Sequence, residues 1–154
     1  MKSPRRRARE FALQGLYQWQ LAGHDVPAIE AHLAGVAGFE KMDRPLFDLL
    51  LRGAIGGAAA LQALIEPQLD RPYSGLSPVE RAILLLATHE LRHHPEAPYK
   101  VIINEAIELA KGYGGTDGHK YVNGVLDKLA AQIRPHEIMR GNRRNKSAST
   151  KEEP

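Results

Sequence analysis

At 154 residues the chain has room for one ordinary domain with a substantial core, and it is too short for two of that size. It has no cysteine, which excludes disulfides, thiolate metal sites and cysteine nucleophiles and fits a reducing compartment. The net charge of +3 conceals a division: residues 1–9 hold five basic residues and no acid, residues 10–133 are net −5, and residues 134–154 hold six basic against three acidic. A basic segment at each end of an acidic body points to a polyanion, either nucleic acid or an anionic membrane surface. The first residues are basic rather than apolar, and no apolar run approaches the roughly 20 residues of a membrane span, so a soluble, cytoplasmic protein is expected.

Apolar residues recur at three- and four-residue spacing almost throughout, which predicts an all-α fold. Ser3-Pro4 starts a first helix that runs to Ala22 and stops at Gly23, with Ala8, Phe11, Ala12, Leu16 and Trp19 as its apolar stripe. Pro27 opens a short second helix toward Ala37. Asp43 and Pro45 open a long third that Pro67 ends, with Gly53, Gly56 and Gly57 marking close packing or a bend. Ser77-Pro78-Val79-Glu80 is a capping box for a fourth helix reaching His93, apolar on nearly every side and therefore central. A fifth spans Tyr99 to Tyr113 before Gly114-Gly115, and a sixth, capped by Thr116 or Asp117, runs to Ile133. The domain is expected over 1–140, followed by a disordered basic tail over 141–154.

Three constellations could carry chemistry. On the first helix, Lys2, Arg5, Arg6, Arg7 and Arg9 form a basic cluster; at 100° per residue Arg6 and Arg9 share a flank with Leu13 and Tyr17, opposite the apolar stripe. Guanidinium groups grip phosphate, and an aromatic on the same flank can stack on an unpaired base. The second is Gly112–Lys120, whose glycines expose backbone N–H groups ahead of a helix N-terminus between Tyr113 and Tyr121; it suits a phosphate or a splayed base, or is simply the end of one helix and the start of the next. The third is His89-Glu90-Leu91-Arg92-His93, which satisfies the HExxH zinc-hydrolase pattern, although Pro95 follows closely and no strand is available to hold a peptide. No cofactor-binding or paired-carboxylate motif stands out, and the residues favour a binder without a metal over an enzyme.

Three segments are more specific than these patterns: Arg5–Gln20, Pro98–Lys111 and His119–Lys128 resemble the bacterial transcription antitermination factor NusB family. The resemblance runs in order from Arg5 to about Pro135. It implies an all-helical bundle of about six or seven helices in two packed subdomains, which binds single-stranded boxA RNA of ribosomal RNA leader transcripts as a heterodimer with the ribosomal protein NusE. The pair, with RNA polymerase and other Nus factors, supports antitermination, and no membrane is involved. Carried over by position, the RNA surface comprises Lys2, Arg5, Arg6, Arg7, Arg9, Tyr17, Gly115, Thr116, Asp117, His119, Lys120 and Tyr121, and Glu80 belongs to the partner surface. Gly118 stands where a serine is more familiar, and Tyr121 replaces a phenylalanine. The same fold also resembles the RNA-binding part of a ribosomal RNA cytosine methyltransferase, but this chain has no cysteine to attack a base.

Overall fold

The structure is a computed structural model and describes residues 2–115 and 117–141. Thr116 and the tail from residue 142 onward therefore lie outside the described residues. The described chain is helical throughout, without a strand: α1 (Pro4–Ala22), α2 (Val26–Leu33), α3 (Arg44–Gly56), α4 (Ala58–Ile65), α5 (Pro78–His93), α6 (Tyr99–Tyr113), α7 (Gly118–Ile133) and a final segment, α8 (135–141).

Local chemistry explains most of the starts. The side chains of Ser3, Asp25, Asp43 and Ser77 each accept a hydrogen bond from the backbone N–H three residues on, and a proline occupies the first turn of each of these helices. Gly23 ends α1 at φ +69°, where a side chain would be strained, and its N–H donates to the Trp19 carbonyl.

Two expectations about helix extent are corrected. The second helix stops at Leu33 rather than near Ala37, and a 3-10 turn over Phe39–Lys41 follows. The long third helix is broken at Gly57, where the chain turns by 75° into α4. Gly53, one turn earlier, lies against His89 of α5, so a β-carbon there would overlap the imidazole. At the other end, Gly141 is still helical and not yet tail. Arg134, counted from sequence in the basic C-terminal segment, is buried instead. Its guanidinium donates to the carbonyls of Glu90, Leu91, His94 and Ala97, so it caps α5 and pins the connection into α6.

The helices form two packed groups. In the first, α1 packs on α2 and α3; in the second, α4 to α7 pack on one another. Helix α5 contacts both groups, and every residue from Ala82 to Leu91 is buried. Leu16, Phe47, Leu50, Ile83, Leu84, Leu126 and Leu129 all join one contiguous core. Each such buried side chain contributes about 1.5–3 kcal/mol. No single helix among the described residues is long and apolar enough to cross a membrane.

Candidate nucleic-acid interface

The basic residues at the start of α1 meet three carboxylates, one on α1 itself and two from elsewhere in the fold. Lys2 reaches Glu10 at 2.8 Å, and this carboxylate holds the ammonium above its ordinary pKa through a hydrogen bond and charge attraction. Arg6 grips Glu105 of α6 through Nε and Nη2 at 3.1 and 3.0 Å. Arg5 approaches Asp43 at 3.8 Å, and no carboxylate among the described residues lies within salt-bridge range of Arg7. The side chains of Lys2, Arg5 and Arg6 remain 53%, 54% and 41% exposed, so water screens these pairs. A phosphate oxygen can replace the carboxylate of the Lys2 and Arg5 pairs at little cost, whereas the bidentate Arg6–Glu105 pair, its carboxylate side chain only 17% exposed, is held more firmly.

Arg9 is different and corrects the sequence reading. It is buried, and its Nε and Nη2 bond both oxygens of Glu90 in α5 at 2.8 and 3.0 Å. A phosphate cannot reach that guanidinium without opening the α1–α5 contact. The flank assigned to Arg6, Arg9, Leu13 and Tyr17 is thus not a free surface, since Leu13 is buried too. Arg9 ties the basic helix to the central one, and Arg6 and Tyr17 stand at its edges.

Tyr17 is 42% exposed and borders an apolar groove of about 460 Å³, shared with Leu13, Leu21, Leu33, Val79 and Tyr113. Tyr113, 43% exposed at the end of α6, also borders a second, more polar groove of about 510 Å³ with Lys2, Arg6, Glu105 and Lys111. This tyrosine joins the basic cluster to the apolar groove. The resemblance alone did not single it out. The available signal was its position as the last residue of α6, immediately before Gly114-Gly115. Glu80 sits in the first turn of α5, one residue from Val79, so the start of α5 adjoins the same groove.

After Tyr113 the chain passes through Gly115 and Asp117 into α7. Asp117 precedes the helix without a side-chain capping bond and lies 3.6 Å from Lys120, both side chains being three-quarters exposed. His119 is partly exposed on the same first turn. Tyr121, expected as a free stacking platform, packs instead against the core, with the Arg71 guanidinium 4.1 Å from its ring centre. One ring face is therefore occupied, and burial raises the phenol above its ordinary pKa. Arg71 itself comes from the connection between α4 and α5. Sequence spacing gave no reason to pair it with α7.

The HExxH pattern does not build a hydrolase. Glu90, which would have to act as base, has both carboxylate oxygens committed to Arg9 and is buried among apolar side chains.

An all-helical domain with an exposed basic helix end beside two surface tyrosines has the features of a helical nucleic-acid binder. Residues 6–131 match the model of the NusB family. The transcription antitermination protein NusB of Aromatoleum aromaticum is 61% identical over 140 residues, which cover 91% of this chain and 97% of that relative. The NusB of Paraburkholderia phytofirmans is 56% identical over 144 residues, covering 94% of this chain and all of the relative. Among solved structures, Thermotoga maritima NusB superposes with a TM-score of 0.77 at 32% identity, covering 90% of this chain and 99% of that one. A structure of NusB and NusE in complex with double-stranded RNA shares the fold at a TM-score of 0.73 and 24% identity, over 86% of this chain and 99% of the other. The chain belongs to the NusB family.

Proposed function

We propose that this protein is a cytoplasmic transcription antitermination factor, not an enzyme, which binds boxA RNA together with NusE. The observation that carries the reading is that Lys2 and Arg6 line a groove that shares Tyr113 with the apolar groove bordered by Tyr17, with Arg5 exposed beside them, on a chain 61% identical to a NusB. Cations on the α1 end contact phosphates and set affinity; Tyr17 and Tyr113 stack on unpaired bases. Gly115, Thr116, Asp117, His119 and Lys120 offer backbone and side-chain hydrogen bonds along the start of α7. Tyr121 and Arg71 act as a stacked pair, with the guanidinium facing the RNA. NusE docks at the start of α5 around Glu80, so that protein and RNA share one continuous surface.

The test is RNA affinity as a function of salt, with and without NusE. Each single-strand phosphate contact contributes a slope of about −0.7 in log affinity against log salt, so Arg5→Ala with Arg6→Ala flattens the slope by about 1.4 for boxA and scrambled RNA alike. Tyr17→Ala and Tyr113→Ala leave the slope unchanged and erode the preference for boxA. A double arginine variant with the wild-type slope would overturn the phosphate assignment. Glu80→Lys should weaken NusE binding while leaving binding to RNA alone intact.

A further inference from the structure

We propose that His89 and His94, with the exposed His93 beside them, form a binding site for one borderline transition-metal dication of the zinc or nickel kind, remote from the RNA chemistry. The Nε2 atoms of His89 and His94 face each other at 3.3 Å. Two nitrogens bound to one zinc at about 2.0–2.1 Å, at the tetrahedral angle, stand about 3.3–3.4 Å apart. The ring centres are 5.1 Å apart and the planes are inclined by 66°, so the two nitrogen-bearing edges converge.

The surroundings fit ligation better than accidental contact. His94 Nδ1 lies 3.1 Å from the Glu96 carboxylate, the arrangement that orients a metal-binding imidazole and leaves its Nε2 lone pair free. His89 is held in place by the bare backbone of Gly53, where a side chain would collide with its ring.

The HExxH spacing contributes only the pair His89 and His93, whose ring centres are 4.9 Å apart on one helical face. His94 is the ligand that the fold adds, at the C-terminal end of α5 where the helix dipole favours a cation. No three carboxylate or imidazole side chains among the described residues already converge on one point, so His93 turned inward, or water, completes the coordination. The Arg9–Glu90 pair keeps the site from hydrolysis. A bound ion would clamp the α5–α6 connection, whose His94 and Ala97 carbonyls Arg134 also holds.

Titration of the untagged full chain, stripped with chelator, with Zn²⁺ or Ni²⁺ followed by calorimetry tests the site. One ion per chain is expected. His94→Gln should lower the affinity at least tenfold, His93→Gln by less, and His136→Gln should leave it unchanged. Nitrogen-15 spectra of the wild-type imidazoles read the site without any substitution: Nε2 of His89 and His94 should move on adding Zn²⁺ while His24 and His32 stay fixed. Absence of binding, undiminished binding in His94→Gln, or a response confined to other histidines would overturn the assignment.

Discussion

Truncating Arg9 separates a structural arginine from an RNA-binding one. In Arg9→Ala the Glu90 carboxylate remains buried, facing Ile83, Leu86, Ile102 and Ala106 with no countercharge. Breaking one side of such a buried pair costs about 3–5 kcal/mol, a large share of the roughly 5–15 kcal/mol that holds a domain together. At about 2–4 °C per kcal/mol for a chain of this length, the melting temperature should fall by about 6–20 °C, read by circular dichroism. Replacing both partners with apolar residues of similar size, Arg9→Met with Glu90→Leu, should restore much of the loss, because it removes the stranded charge along with the pair. The salt slope of RNA binding by the folded fraction should stay close to wild type. An Arg9→Ala protein as stable as wild type but with a flattened salt slope would refute the burial argument and return Arg9 to the RNA surface.

Two further outcomes follow from the same structure. His89 titrates near 4 in the fold against about 6.5 when unfolded, so between these values the unfolded chain binds more protons. Its contribution is fully present above about pH 6.5 and is lost as pH falls toward 4, on the order of 2–3 kcal/mol; urea midpoints against pH should show this acid loss in the wild type and a shallower one in His89→Gln. Arg134→Ala strands carbonyls at Glu90, Leu91, His94 and Ala97 and should cost about 3 kcal/mol or more, with hydrogen exchange rising first in the connection between α5 and α6.

Helix starts were legible because a capping side chain and a first-turn proline act on backbone groups three residues away: Ser3, Asp43 and Ser77 each sit where their bond is made. Burial of α5 was legible for a similar reason, since a helix apolar on every side has to be surrounded. Segment likeness identified the family, and the identities with curated relatives bear that out. The break at Gly57 was only half legible: glycines announced a bend or a close approach, and the fold uses Gly57 for the first and Gly53 for the second.

What sequence alone determined, then, is what short-range chemistry dictates: the helical class, the capped starts, the central apolar helix and the clustering of basic residues at one end. Which of those basic residues face solvent was decided only by tertiary structure, because a helical wheel places Arg6 and Arg9 on one flank without showing what lies opposite. Glu90 and Glu105 come from helices about 80 and 100 residues further along the chain, and they turn Arg9 into a core tie and Arg6 into a screened edge. Tyr113, Arg71 and His94 gained their partners in the same way. A charge's role depends on its desolvation and its nearest opposite charge, and both are properties of the packed fold.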